Sequence, residues 1–186
     1  MTTLQAKLIA AAALSLLALT TSTLAQNGND QRAPAVPANL VVPGDGNTNM
    51  VSFHAYGVGV QIYIWNGSAW VFKAPLAVLY DADGNPVGTH FLNTTFGLPE
   101  WKSNSGSDVV GMREAASSVN PPVDPHAIPW LLLEAVSTAK PGVLANTTYI
   151  QRVNTAGGKA PSGAGTSVGQ EADVPYTAEY YFYRAQ

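Results

Sequence analysis

Four side chains in the middle of this chain are of types that could do chemistry together: His90, Glu100, Trp101 and Asp108. An imidazole beside a carboxylate can move a proton. Two carboxylates can flank a glycosidic bond, and an indole offers the flat apolar surface on which a sugar ring stacks. His90, Glu100 and Asp108 are therefore the catalytic candidates, and Trp101 with His90 the ligand-binding candidates. The spacing does not complete a machine. There is no G-x-S-x-G elbow, and Ser107 beside Asp108 lies in a loop setting with no base to activate it. A histidine that only hydrogen-bonds a neighbouring loop is the commoner case, so the catalytic reading of His90 stays one of two.

Metal and cofactor chemistry find less support. Asp81, Asp83 and Asn85 sit at i, i+2 and i+4, as in the opening of a calcium loop. Pro86 then occupies the position that needs glycine, and Leu92 the one that needs a bidentate glutamate, so a plain turn is expected. Asp45 to Asn49 has the same weakness. His54, His90 and His126 share no ligand spacing, and zero cysteines exclude a thiolate site, a thiol nucleophile and a disulfide framework. Gly157-Gly158-Lys159-Ala160 lacks the hydroxyl residue that a phosphate loop places after its lysine. No metal and no cofactor are expected. Nine Lys plus Arg against twelve Asp plus Glu give a net charge of −3, which offers no basic footprint for nucleic acid. Asn66, Asn93 and Asn146 each open an N-glycosylation acceptor triplet.

These residues need elements to hold them. Leu8 to Leu19 is an uncharged apolar run of about a dozen residues, too short to span a bilayer. Thr23-Leu24-Ala25 follows it with small residues at the −3 and −1 positions, so residues 1–25 read as a secretory signal cleaved before Gln26. The expected location is secreted or extracellular, periplasmic or cell-surface in a bacterium, with no membrane span after cleavage. Residues 26–38 read as a flexible arm and 39–186 as a single domain. Within it, Val58, Val60, Ile62 and Ile64 alternate with Gly59, Gln61, Tyr63 and Trp65, and Asn66-Gly67 supplies a tight turn before Trp70-Val71-Phe72. Leu76 to Tyr80 and Val87 to Phe91 form a second hairpin around Asp81 to Pro86. Further strands are expected at Leu40 to Val42, Met50 to Ala55, Trp130 to Val136, Thr147 to Val153 and Tyr176 to Tyr183. The last sets Tyr176, Ala178, Tyr180 and Phe182 on one face. A helical turn is expected around Met112 to Ser117, and Asn154 to Gly169 reads as a long surface loop. Strands about every ten residues, divided by Gly, Pro and Asn, predict an all-β, antiparallel sandwich or barrel with long loops and little helix.

The segments Gly59-Val60-Gln61-Ile62-Tyr63, Gly88-Thr89-His90-Phe91, Pro99-Glu100-Trp101, Ile128-Pro129-Trp130-Leu131-Leu132-Leu133, Ile150 to Pro161 and Tyr176 to Tyr183 occur in an order that resembles the DUF3455 family. The resemblance implies one exported domain with no assigned activity. Some members carry a malate dehydrogenase label, for which this chain gives no support: no G-x-G-x-x-G lies between a strand and a helix. The resemblance further implies a cysteine pair at positions like Trp65 and roughly Ala164, filled here by a large ring and a small residue. It also implies an acidic residue where Ser105 stands.

Two functional expectations follow. One is a non-catalytic extracellular or cell-surface β-domain, binding or structural, with a polysaccharide or small polar ligand as partner. The other is a secreted hydrolase using His90 with Glu100 or Asp108. His90, Glu100 and Trp101 are expected to line one shared depression at an edge of the β-structure; convergence of His90 with Glu100 or Asp108 on one concave pocket favours the hydrolase, and their scatter over the surface the non-catalytic domain.

Overall fold

The computed structural model describes residues 32–121 and 124–186. The signal segment 1–25 and the arm as far as residue 31 lie outside the described residues. After a 3-10 turn at Ala38–Leu40 come eight strands: β1 Asn49–Trp65, β2 Trp70–Tyr80, β3 Pro86–Asn93, β4 Leu98–Ser103, β5 Asp108–Val119, β6 Trp130–Ala139, β7 Thr147–Gly157 and β8 Glu171–Ala185. Each pairs antiparallel with its neighbour in sequence, and β8 returns to β1 from Asn49↔Ala185 to Ile64↔Glu171. The result is a closed up-and-down barrel, so the all-β antiparallel expectation holds in its barrel form. Eight strands enclose an interior just wide enough to be filled by side chains or to keep room for one small ligand. Among the described residues no helix is long and apolar enough to cross a membrane.

Alternation along each strand divides the chain between two apolar regions. Leu79, Trp101, Leu133, Ile150, Tyr180 and Phe182 point inward and form the barrel core. The outward residues Val51, Leu132, Val153, Tyr181 and Tyr183 form a second cluster on the outer wall, covered by Val36, Leu40 and Val42 from the segment before β1. That segment is anchored by Gln151 Nε2 donating to the Leu40 carbonyl at 2.6 Å and by Asn39 Nδ2 donating to the Ala116 carbonyl at 3.0 Å. β8 can thus be aromatic on both faces, because both faces are covered.

Several expected elements need correction. Leu40 and Val42 are buried with Val41 exposed, as a strand would have them, but residues 38–40 make a 3-10 turn and the stretch joins no ladder. Alternating burial needs only an extended chain, not a hydrogen-bonded neighbour. Met50 to Ala55 and Val58 to Trp65 belong to one strand, β1. Gly57, which looks like a break, sits where a Cβ would come within 2.6 Å of the Tyr180 ring, so the glycine makes room for that ring. Met112 to Ser117 is not helical. β5 runs through it, and the ladder moves from Arg113↔Leu133 to Ser118↔Leu131, five steps on one strand against two on the other. The extra residues bulge outward, with Ala116 at φ 61° and Ser117 Oγ donating to both Glu114 and Leu132 carbonyls at 2.8 Å. Finally, Pro99 to Trp101 lies on a strand absent from the expected set, β4; only residues 94–97 separate it from β3.

Candidate functional site

The barrel interior is not filled to its end. Where β1, β3, β5 and β7 finish and β2, β4 and β6 begin, a cavity of about 490 Å³ remains. Its floor is aromatic. His90 and Trp101 are cross-strand partners, and their rings stack at 4.4 Å with Tyr180 edge-on to the indole at 5.5 Å. Its walls are largely apolar, with Phe72, Leu92, Leu98, Ile128 and Leu131 among them.

The polar groups in the wall come from inward positions of four strands. Arg152 on β7 faces inward because Ile150, two residues earlier, belongs to the barrel core. Its Nε and a terminal nitrogen donate to the Pro129 carbonyl at 3.2 and 2.8 Å. That carbonyl is fixed by the loop before β6, which Asp124 ties to the Gly157 amide at 2.9 Å and Ile128 to the Gly157 carbonyl at 2.8 Å. Burial pulls the Arg152 pKa down, and the hydroxyls of Tyr180, Tyr176 and Tyr63 work against that fall. Burial also pushes those three tyrosines up, so they present neutral hydroxyls. Tyr63 donates to the Gly158 carbonyl at 2.7 Å. Arg113 from β5 lies at the rim, and Gln61 from β1 deeper in the wall. Gln61 Nε2 and Trp101 Nε1 are buried without a hydrogen-bond partner.

His90 is held neutral. Burial, with a further push from the Arg152 charge, outweighs its hydrogen bond and lowers its pKa to about 3. The Glu100 carbonyl can only accept, so His90 Nδ1 carries the proton in the 2.8 Å contact between them and Nε2 is the lone-pair nitrogen.

The sequence candidates are thus divided. His90 and Trp101 line the cavity together, although Trp101 is only 1% exposed and serves mainly as its floor. Glu100 points out of the barrel, where Asn93 Nδ2 donates to it at 2.6 Å. Asp108 pairs across the wall with Lys102, at the far end of the barrel from the cavity. Neither carboxylate lines the cavity with His90. Asp81 receives the amides of Asp83 and Asn85 at 3.0 and 2.8 Å, so its oxygens shape the turn. Among the described residues no group of three potential ligands could hold a metal. Reasoning from sequence missed Arg152, Arg113 and Gln61. The signal that could have found Arg152 is its place in the Ile150-Gln151-Arg152-Val153 strand, two residues from the apolar inward Ile150.

The cysteine pair implied by the resemblance can also be placed. A Cβ built on Gly165, next to Ala164, would lie 2.8 Å from the Trp65 Cβ. The loop after β7 therefore folds back onto the end of β1, and Trp70 Nε1 holds it by donating to the Gly163 carbonyl at 2.7 Å.

No match was found among curated proteins or among solved structures. The family model described as "Protein of unknown function (DUF3455)" matches residues 46–184, from the turn before β1 nearly to the end of β8. That span contains the barrel except for the last residue of β8, with every residue of the cavity, and the chain belongs to the DUF3455 family.

Proposed function

We propose that this barrel is a non-catalytic carrier that holds one small molecule in the cavity at its end. The observation that carries the reading is the cavity itself: about 490 Å³, within the range of small-molecule sites, with an aromatic floor and mostly apolar walls. A space of that size under four hairpin ends suits a compact ligand better than a polysaccharide chain. Binding is favoured over hydrolysis because the cavity holds no base of ordinary strength: burial lowers the His90 pKa to about 3, far below the working range of a general base, and no carboxylate lines the cavity, Glu100 and Asp108 lying on the outer side of the wall. The run from Leu8 to Ala25 supports placing this carrier outside the cytoplasm. Intact mass of exported protein, beginning at Gln26, checks that part.

The test is a titration with N-phenyl-1-naphthylamine, a neutral dye whose fluorescence rises in apolar surroundings. Saturable binding at one molecule per chain is expected, and Leu131→Trp, which fills the cavity, should abolish it while the far-ultraviolet circular dichroism stays unchanged. No binding by the native chain, or equal binding by a folded Leu131→Trp variant, would overturn the reading.

A further inference from the structure

We propose that the ligand of this cavity carries an anionic headgroup, a carboxylate or a similar oxyacid, on an apolar body, and that Arg152 receives the headgroup. The proposal rests on the carrier reading above and adds the chemical class of what is carried.

The polar equipment of the cavity is one-sided. Arg152 lies inside the barrel, and among the described residues no carboxylate comes within 4.0 Å of it or of Arg113. Nor does any aspartate or glutamate line the cavity. A charge placed in such surroundings is unfavourable unless it meets an opposite charge, and a folded chain keeps one there only where something compensates it. The contacts within the protein do not compensate it. Arg152 donates twice to one carbonyl, that of Pro129, and meets the neutral hydroxyl of Tyr180. A guanidinium has five N–H groups in a planar fork, so donors remain for a planar oxyanion.

The neighbouring wall repeats the pattern. Gln61 Nε2 and Trp101 Nε1 are buried N–H donors with no acceptor, and both belong to residues of the cavity wall. These unmet donors stand in the same wall as a positive charge that no carboxylate meets. The rest of the lining, including Phe72, Leu92, Ile128 and Leu131, asks for an apolar body.

The experiment compares two dyes that differ by one group: 8-anilinonaphthalene-1-sulfonate, and the neutral N-phenyl-1-naphthylamine that lacks the sulfonate. The full chain should bind the sulfonate about tenfold tighter or more, the value of one charge-assisted contact. Arg152→Met should bind both dyes alike. Because that variant changes an interior residue, a second measurement uses the native chain alone: decanoate should displace bound N-phenyl-1-naphthylamine at a concentration about tenfold lower than decanol. Equal affinity for the two dyes, equal displacement by acid and alcohol, or a folded Arg152→Met that keeps the preference would each overturn the anion assignment while leaving the carrier reading standing. Failure of both dyes to bind would overturn the carrier reading, and this proposal with it.

Discussion

Truncating Trp101 tests whether the floor of the cavity is also the centre of the fold. The indole is 1% exposed, stacks on His90 at 4.4 Å and meets the rings of Tyr180 and Phe182 edge-on at 5.5 and 6.1 Å. Its far side reaches β5, where a Cβ on Gly111 would stand 3.1 Å from the ring. Trp101→Ala removes all of these contacts at once, and the surrounding barrel, closed by hydrogen bonds around its whole girth, cannot collapse to fill the space. Replacing a buried tryptophan with alanine costs about 3–5 kcal/mol. For a domain of this size each kcal/mol lowers Tm by about 2–4 °C, so a fall of roughly 6–20 °C is expected. Thermal unfolding followed by circular dichroism, with a urea titration to check that the m-value is preserved, reads it directly. Had Trp101 been an exposed stacking platform, its loss would leave Tm nearly unchanged. A shift under about 2 °C would therefore refute the placement of this residue and the cavity built on it.

Other outcomes follow from particular residues. His90 has its pKa lowered to about 3 in the folded protein, against about 6.5 unfolded, so its neutral burial supports the fold fully above about pH 6.5. That support is lost as pH falls toward 3, at about 1.4 kcal/mol per pH unit. His90→Phe should flatten the loss between the urea midpoints at pH 7 and pH 4.5, and an unchanged slope would contradict a buried neutral ring. Leu40 is fully buried over the outer aromatic cluster, so Leu40→Ala should destabilise the domain by about 2–5 kcal/mol in the same assay. Trp65→Cys with Gly165→Cys should oxidise to a disulfide within the chain, because a Cβ on Gly165 lies 2.8 Å from that of Trp65 and a separation of roughly 1 Å more, given by the loop, meets the bond's geometry; two reactive thiols after mild oxidation would show that the loop lies elsewhere. Millimolar calcium should leave Tm unchanged, since the Asp81 carboxylate is taken up by the amides of its own turn.

What the sequence revealed was what is local. Asn66-Gly67 places a residue at φ 100° in the β1–β2 turn, and the alternation of Tyr176 to Tyr183 places the inward rings of β8, because both signals act over a few residues. Closure does not. Nothing near Asn49 or Ala185 announces that they pair, so sandwich and barrel were indistinguishable by pattern. β4 was hidden by Pro99, which the barrel tolerates at an inward position. The bulge in β5 imitated a helical spacing because its extra residues shift the phase of the alternation. The site was half legible. His90 and Trp101 were found through side-chain type and resemblance, whereas Arg152 looks like any outward charge on a strand until its inward neighbour Ile150 fixes the phase. Glu100 is near His90 in sequence and across the ladder, yet the same alternation that turns Trp101 inward turns Glu100 out.

The most direct measurement is a crystal structure of the protein with 8-anilinonaphthalene-1-sulfonate bound. One dye molecule is expected in the barrel end, its rings against Phe72 and Leu131 and its sulfonate on the Arg152 guanidinium. The outer wall of β1 and β2 offers a competing apolar surface, where Val58, Leu76 and Val78 are 49%, 55% and 36% exposed. Dye on that wall with only water in the cavity, or dye in the cavity with its sulfonate turned out to solvent, would contradict the account.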